Sequence, residues 1–518
     1  MRKIIDINLP PQQVFGEKNL IHPVSKFLRI DKTDIGGIKV LKRSIDSRSK
    51  NILVRMRAEV FINEEFTEAP IKRTYKQSSD KQRVLIVGAG PAGLFAALKL
   101  LEYGIKPIII ERGKDVHARK LDIAKLNRQQ EVNIDSNYCF GEGGAGTFSD
   151  GKLYTRSTKR GNVQEILETL VYHGATKDIL IDSHPHIGSD KLPPVIEKMR
   201  ESILAAGGEM HFSKRVTEVI ISNGEACGVI DQYGNKINGK AVILATGHSS
   251  KDITDMLIRQ NILIEFKPFA MGIRIEHPQA LIDSIQYHSK NRSQYLPAAY
   301  YSLVTQVGGR GVFSFCMCPG GTIVPSATDG GQVVVNGMSN SKRSSPYANS
   351  GIVVQIDEKD LTKYNKYGPI KGQKLQESIE NLAFLAGGSC QRAPAQRLTD
   401  FLDEKMSPHL PDSSYFPGLT SYPLHQLLPG FITKSLIAGF REFDKKMRGY
   451  ITAEAILVGV ESRTSSPVRM PRNEISLEHV QVKKLFPCGE GSGYAGGIVS
   501  SAIDGERVAE SIASHIFS

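Results

Sequence analysis

Residues 83–87 and 107–110 are two apolar runs with almost no polar position, a pattern typical of strands that are buried on both faces. Between them, apolar residues from Leu94 to Leu101 recur at helical spacing, and Gly104 follows as a C-cap. The pattern predicts a strand, a helix and a second strand within about thirty residues, which is a βαβ unit. A further buried-type strand is predicted at 241–245, where it leads into Thr246 and Gly247.

Other parts of the chain have different patterns. Residues 1–80 predict a small α+β unit with a strand at 3–8, a helix at 23–28 and strands near 38–41 and 52–62. From about 265 to 460, residues 269–276 alternate like a half-buried strand, and helices are predicted near 373–386 and 431–446. A returning strand at 484–488 and a one-sided apolar helix after Gly496 complete the chain.

These patterns predict an α/β protein with one discontinuous Rossmann-type domain. Residues 81–264 and 461–518 are expected to form that domain, and residues 265–460 an inserted mixed α/β domain that holds a substrate. The polar segment 76–80 is interpreted as a linker behind a small α+β accessory domain, residues 1–80.

Composition narrows the class of protein. A chain of 518 residues is expected to form two or three domains, and 40% hydrophobic with 23% charged residues is ordinary for a soluble protein. No apolar run approaches the roughly 18 residues that span a bilayer, and Asp6 interrupts any secretory signal, so a cytoplasmic location is expected. The six cysteines show no metal-ligand spacing, and no metal site is predicted.

The net charge of +12 is uneven along the chain. Residues 1–80 hold 16 Lys and Arg against 10 Asp and Glu. Their net charge of +6 is about half of the net charge of the whole chain. A surface for phosphates or nucleic acid is one interpretation, and a solvated basic face is the other. The second is favoured because the basic residues are scattered and do not form a block.

Gly88, Gly90 and Gly93 form a GxGxxG pattern directly after the first buried strand. The first glycine permits a tight turn, the second lets a pyrophosphate approach the backbone, and the third lets the helix pack on the strand. The helix N-terminus then faces the phosphates. Glu111 ends the second strand and would accept hydrogen bonds from ribose hydroxyls. This fingerprint does not distinguish NAD from FAD.

The C-terminal segment 485–497 favours FAD. It predicts a strand, an acidic residue, a glycine-rich turn and a helix. Glu490 would accept a hydrogen bond from a ribityl hydroxyl of the cofactor. The backbone of Gly496, Gly497 and Ile498 would approach the flavin. The positive end of the last helix would stabilise negative charge on the reduced ring.

Five longer motifs add a family resemblance. They are GEGGAGTFSDGKL at 141–153, KPFAMGIRIEHP at 267–278, SFCMCPGG within 313–321, RAPAQR at 392–397 and ESRTSSPVR at 461–469. The chain resembles an uncharacterised bacterial family of FAD-dependent dehydrogenases, within the glutathione-reductase-type FAD superfamily, over essentially its whole length. The resemblance implies FAD, a discontinuous FAD domain and an inserted second domain, but no substrate. The residues expected to bind the cofactor are Gly88, Gly90, Pro91, Ala92, Gly93, Glu111, Arg112, Gly144, Gly146, Thr147, Val216, Ala245, Thr246, Gly247, Gly489, Glu490, Gly496, Gly497 and Ile498.

A second GxGxxG after a strand is missing from the sequence, as is the redox-active cysteine pair of a two-nucleotide disulfide reductase. NADH or NADPH, if used, would therefore bind transiently.

Residues that would react are harder to predict. Cys316 and Cys318 are interpreted as two small buried thiols or, less favoured, as a redox dithiol. His248 is expected to form a hydrogen bond or cap rather than transfer a proton, and Tyr494 is a candidate lid or proton donor. Candidates for holding an anionic substrate are Arg274, Arg392, Arg463 and Arg469, with salt bridges between the domains as the alternative.

Three functional hypotheses follow. The favoured one is an oxidoreductase that transfers a hydride between flavin and a small molecule. The second is an FAD-dependent enzyme that modifies RNA, with residues 1–80 as its basic docking domain. The third is a binding protein in which the flavin is structural. Fold-level analogy does not choose among them.

Overall fold

The computed structural model describes residues 1–16, 19–155 and 160–517. At the N-terminus, an antiparallel sheet of order β1-β3-β2 packs against one helix. These elements are β1 (Arg2–Leu9), α1 (Ile21–Leu28), β2 (Ile35–Asp46) and β3 (Leu53–Ile62). Ile5, Ile7 and Leu9 alternate along β1 and form a small core with Val24 of α1. The predicted strands and helix are confirmed, and β2 is longer than the run at 38–41.

The next part of the chain forms most of a parallel sheet. Its elements are β4 (Ser79–Val87), α2 (Pro91–Glu102), β5 (Ile105–Ile110), α3 (Val116–Gln129), α4 (Val163–Tyr172), α5 (Leu192–Ala205), β6 (Glu209–His211), β7 (Val216–Ser222), β8 (Glu225–Asp231), β9 (Lys236–Asn238), β10 (Ala241–Leu244) and α6 (Lys251–Arg259). The predicted βαβ unit is confirmed as β4, α2 and β5.

A second, larger sheet follows. Its part of the chain contains β11 (Glu265–Phe266), β12 (Phe269–Pro278), α7 (Gln279–Tyr287), β13 (Val304–Val307), β14 (Arg310–Cys318), β15 (Gly321–Pro325), β16 (Val335–Ser339), β17 (Tyr347–Ile356), α8 (Lys371–Ala386), β18 (Ala393–Arg397), α9 (Leu398–Leu402), β19 (Leu419–Ser421), α10 (Leu424–Leu427), α11 (Gly430–Lys446) and β20 (Ile456–Glu461). The chain ends with β21 (Val468–Arg469), β22 (Leu485–Pro487) and α12 (Ile498–Ile516).

The parallel sheet has the order β22-β10-β4-β5-β6, so the C-terminal β22 lies beside β10. Successive residues of β4 alternate between its two faces. Val84 and Ile86 pack in the core under α2, α5 and α12, whereas Leu85 and Val87 pack against β7, β8 and α6. Both faces are therefore covered, which is why the strand sequences are continuously apolar.

The larger sheet has the order β13-β14-β17-β12-β20-β18-β19, with only the β18–β19 pair parallel. The expectation that residues 269–276 form a half-buried strand is wrong, because every residue of β12 up to His277 is buried. Helices and loops cover both faces, and the polar side chains of Arg274 and Glu276 are paired inside. The helices predicted near 373–386 and 431–446 are confirmed as α8 and α11.

Among the described residues, we find no helix with the length and apolar character required to cross a membrane.

Candidate functional site

A cavity of about 350 Å³ lies where β4, β5 and β10 end, between the parallel sheet and the larger sheet. Its volume falls within the range of small-molecule sites, and the carboxyl ends of parallel strands are where such folds bind ligands. One wall comes from glycine-rich turns of the parallel-sheet part. The other comes from Phe315, Cys316, Asn336, Arg463 and Thr464.

The turn between β4 and α2 depends on its glycines in two ways. Gly88 has φ +106°, and a Cβ there would lie 2.5 Å from the Ala245 carbonyl oxygen, while a Cβ on Gly93 would overlap the Gly88 carbonyl. The absence of a side chain at Gly88 lets the turn pack closely on Ala245, and its absence at Gly93 lets α2 pack closely on the turn. Gly90 differs, because the nearest protein atom to a Cβ there is 3.9 Å away. It is the N-cap of α2 and has no side-chain cap, so the N–H groups of the first turn are left for a ligand.

Glu111 connects three segments around this turn. Its carboxylate accepts hydrogen bonds from the backbone N–H groups of Ala89 at 2.8 Å, Gly113 at 2.8 Å and Gly141 at 3.0 Å. The residue is 5% exposed and lines the cavity. Glu111 thus lines the cavity directly after β5, and its contact with a ribose stays a prediction.

Arg119 organises the loop that follows, and the sequence analysis missed it. Its fully buried guanidinium donates to four carbonyl oxygens, those of Asn137, Tyr138, Glu142 and Gly144, at 2.8–3.0 Å. Burial lowers its pKa to about 10. The charged stretch around Arg119 gave no sign that this arginine would point inward, because the loop that it holds is distant in the sequence.

The C-terminal turn closes the cavity from the other side of β10. Glu490 and His248 form an ion pair of 3.2 Å between Oε2 and Nδ1, and both line the cavity. Burial by itself lowers the pKa of His248, but the Glu490 carboxylate outweighs it and the pKa is raised. Gly497 is the N-cap of α12 without a side-chain cap, so a second helix N-terminus opens onto the cavity.

The lining fits a long anionic dinucleotide such as FAD. At Gly247, Gly496 and Gly497 a Cβ would meet no protein atom within 4 Å, although all three line the cavity. Their backbone therefore faces open space that a ligand could approach closely, and the uncapped ends of α2 and α12 favour negative charge. The predicted cofactor residues that line the cavity are Gly88, Gly90, Pro91, Ala92, Glu111, Arg112, Gly144, Gly146, Val216, Ala245, Thr246, Gly247, Glu490, Gly496, Gly497 and Ile498.

Three predicted cofactor residues lie behind that lining. Gly93 packs on Gly88, the Thr147 hydroxyl donates to the Glu142 carbonyl, and the Gly489 N–H donates to Asp504. These contacts stabilise the turns, but the three residues do not themselves line the cavity.

Of the arginines suggested for an anionic substrate, only Arg463 lines the cavity. Its buried guanidinium pairs with Glu380, with Nη2 and Oε2 at 2.8 Å. Arg274 is fully buried behind the wall, where Nε lies 2.6 Å from the Glu461 carboxylate. Both arginines are thus already neutralised by carboxylates of the protein.

The other two arginines and Tyr494 lie outside the cavity lining. Arg392 is exposed and donates to the Leu419 carbonyl, while Arg469 lies over the Tyr494 ring at 5.7 Å. The Tyr494 hydroxyl accepts from the Arg472 N–H at 3.1 Å, and the Arg472 guanidinium covers the ring at 3.8 Å. The structure therefore does not bring these side chains to the place where a substrate would meet the cofactor.

Comparisons with known proteins identify the family. An uncharacterized protein of Clostridium beijerinckii is 41% identical over 509 residues, which are 94% of each chain. Residues 82–256 match the family model described as pyridine nucleotide-disulphide oxidoreductase, and residues 268–464 match "FAD-dependent protein, C-terminal domain-like". This chain belongs to the FAD-dependent oxidoreductase family. The N-terminal residues 1–61 of this FAD-dependent oxidoreductase match a domain of unknown function, DUF8436.

Other matches to the FAD-dependent oxidoreductase are weaker. The thiamine thiazole synthase of Aeropyrum pernix is 29% identical over 173 residues, 33% of this chain and 52% of that protein. Among solved structures, a triple mutant of the flavin-dependent brominase Bmp2 gives a TM-score of 0.37 at 11% identity, covering 83% of this chain and 79% of that one. Glycine oxidase from Bacillus cereus gives 0.32 at 14% identity, with 85% and 95% covered.

Proposed function

We propose that this FAD-dependent oxidoreductase transfers a hydride between its flavin and a small molecule bound against the larger sheet. The observation that supports the proposal is the shared cavity, in which a wall of glycine backbone faces a wall formed by Phe315, Cys316, Asn336, Arg463 and Thr464. A flavin bound along the first wall would present one side to a molecule held by the second. Bound FAD supplies the hydride chemistry, and the protein binds and orients the reactants.

The residues of the cavity divide into separate tasks under this proposal. The first turn of α2 holds the pyrophosphate, Glu111 the ribose, and Glu490 with Gly496–Ile498 the flavin end. The His248–Glu490 pair holds a proton between Nδ1 and Oε2, next to where negative charge develops. Asn336 and Thr464 line the cavity, where the Asn336 Nδ2 group would donate to the substrate and the Thr464 hydroxyl, which itself donates to the Ala270 carbonyl at 2.6 Å, would accept from it.

We further propose that NADH or NADPH reduces the flavin by binding transiently. The division proposed with this function is an FAD domain of residues 81–264 and 461–518, a substrate domain of residues 265–460 and an accessory domain of residues 1–80. The β22–β10 pairing supports the discontinuous FAD domain, because it adds the C-terminal segment to the parallel sheet.

The test is anaerobic reduction of the purified protein with NADH or NADPH, followed through the oxidised flavin absorption band. We expect one of the two to bleach the band rapidly. Gly90→Ala should lower the flavin content, whereas Gly330→Ala, a glycine with open surroundings outside the cavity lining, should not. A yellow protein that neither nucleotide bleaches would contradict nicotinamide use and favour a substrate-reduced dehydrogenase or a structural flavin. A colourless protein that cannot be reconstituted with FAD would contradict the proposal itself.

The charge distribution supports a small molecule over RNA. Several arginines of the N-terminal region are paired with carboxylates, as in Arg2–Glu64, Arg57–Asp6 and Arg43–Asp182. Such pairing reduces the positive charge that phosphates would meet. RNA binding that is strongly salt-dependent and lost on deleting residues 1–80 would overturn this preference.

A further inference from the structure

Two thiols and one ammonium meet at the edge of the cavity. The Lys152 Nζ lies 3.6 Å from the Cys316 Sγ and 3.7 Å from the Cys318 Sγ. Cys316 and Lys152 line the cavity, while Cys318 is fully buried next to them. Lys152 and Cys316 are 164 residues apart in the chain, so the cluster exists only because the two parts of the protein face each other.

The local backbone is irregular at this point. The pairing of β14 with β17 shifts between Phe315, opposite Gly351, and Cys318, opposite Asn349, so that β14 contains one extra residue. Cys316 has φ +47°, in the left-handed region that residues other than glycine rarely adopt. Bulges of this kind redirect side chains and are frequent next to active sites. Here the bulge accompanies a thiol that faces the cavity and a second thiol that donates to the Cys316 carbonyl at 3.3 Å.

The groups around the two cysteines shift the pKa values of their thiols in opposite directions. A hydrogen bond from Cys318 and the cations of Lys152 and Arg274 lower the pKa of Cys316, although burial opposes them. The same hydrogen bond, with burial, raises the pKa of Cys318. Asp150, itself held by Arg343 at 2.9 Å, lies 3.8 Å from the Lys152 Nζ and helps to position it. These opposite pKa shifts favour ionisation of Cys316 over Cys318, which is the asymmetry that a dithiol closing to a disulfide uses.

We propose that Cys316 and Cys318 form a redox dithiol that exchanges two electrons with the flavin, with Lys152 positioning and stabilising the Cys316 thiolate. The proposal rests on the proposed function, since it needs FAD in the cavity. In the oxidative direction, the S–S bond forms between the two sulfurs as the Cys318 S–H bond breaks. The pair loses two electrons, and FAD takes up these electrons and the one proton to become FADH⁻. One negative charge and one proton are therefore present on each side of the step, and the reverse step reduces the disulfide.

The first experiment measures the thiols without using activity. The purified holoprotein is equilibrated anaerobically in buffers of reduced and oxidised dithiothreitol, then denatured, alkylated and analysed as peptides by mass spectrometry. We expect Cys316 and Cys318 to lose alkylation together and reversibly as the buffer becomes more oxidising. In Cys318→Ser, Cys316 should stay open to alkylation, and Cys390→Ser, a control outside the cavity lining, should behave as the wild type.

A second experiment tests Lys152. In Lys152→Met the pKa of Cys316 should rise, so at neutral pH its thiolate fraction and its alkylation rate should fall by about tenfold or more. The rate should recover at higher pH, which a folding defect would not produce. An alkylation rate and pH profile like the wild type would overturn the role of Lys152.

The two proposals fail in different ways. If NADH or NADPH bleaches the flavin but both thiols stay alkylated in every buffer, the dithiol is overturned and the oxidoreductase proposal stands. If the disulfide forms reversibly but no flavin binds, the electron exchange with FAD is overturned together with the proposed function. If the disulfide forms in the holoprotein and a long-wavelength thiolate–flavin absorption band is lost in Cys316→Ser, the exchange is supported.

Discussion

The cavity wall from the parallel sheet is made largely of glycine backbone, whereas the opposite wall is made of side chains that are held from behind by buried charge pairs. The first wall leaves space for a ligand, as at Gly90 and Gly497, which line the cavity and where a Cβ would meet no protein atom closer than 3.9 Å. The second works by pairing, as in Arg463 with Glu380 and Arg274 with Glu461. The comparison shows that one side of the site depends on the absence of side chains, whereas the other side depends on buried charges that are paired.

The largest loss of stability is expected from breaking the Arg274–Glu461 pair, which lies behind the wall opposite the glycine turns. Glu461→Ala leaves the Arg274 guanidinium, 0% exposed, without its carboxylate, which should lower the free energy of unfolding by about 3–5 kcal/mol. Urea unfolding followed by circular dichroism measures it. The double variant Arg274→Met with Glu461→Leu should recover most of the loss. If the double variant is no more stable than the single one, pairing is not what stabilises this wall.

A somewhat smaller effect is expected from Gly93→Ala in the first wall. The added methyl overlaps the Gly88 carbonyl oxygen, which belongs to the backbone and has little room to move. We expect a loss of about 1–3 kcal/mol in the free energy of unfolding and a marked loss of bound flavin. Gly330→Ala is the matched control, since nothing lies within 4 Å of its Cβ. Unchanged stability in Gly93→Ala would refute the close packing of helix on strand.

Gly90→Ala separates flavin binding from folding. The nearest protein atom to the new methyl is 3.9 Å away, so the melting temperature should stay close to that of the wild type. The methyl would occupy space at the N-terminus of α2 where the pyrophosphate approaches. The affinity for FAD, measured by fluorescence titration of the apoprotein, should therefore fall by about tenfold or more. A variant that binds FAD like the wild type would show that this space is not used.

The smallest effect concerns pH and the His248–Glu490 pair, which lies within the first wall. The Glu490 carboxylate raises the pKa of His248 above its ordinary 6.5 in the folded protein. The stabilisation is therefore complete below pH about 6.5 and is lost as the pH rises through the folded-state pKa. Relative to Glu490→Gln, the wild type should lose less than about 1 kcal/mol across this window, because both side chains are partly exposed. Parallel stability curves of the two proteins against pH would contradict the pairing.

The first wall was largely predictable because its signals are local. A strand, three glycines and a helix lie within residues 84–101, and the acidic end of the next strand follows at Glu111. The backbone needs these residue types at these spacings, whatever the rest of the protein does. The C-terminal turn is equally local, and Glu490 and Gly496–Ile498 do line the cavity.

The second wall could not be predicted in the same way. Arg392, Arg469 and Tyr494 were plausible from their residue types, yet the fold places them outside the cavity lining. The burial of Arg274 also needed the structure, since alternation along β12 indicated an exposed face that helices and loops in fact cover. The residues next to a charged side chain in the sequence do not indicate which distant residue will pair with it.

The sequence by itself determined that this is an FAD-dependent protein of the α/β class with a Rossmann-type turn, because such turns depend on the conformations that neighbouring residues allow. Only the tertiary structure decided which distant groups meet. It brought Lys152 to Cys316 and Cys318, Arg119 to the 137–144 loop, and Glu380 to Arg463. The physical reason is that each contact joins residues of different elements, and its energy depends on a burial and a distance that exist only once those elements have packed together.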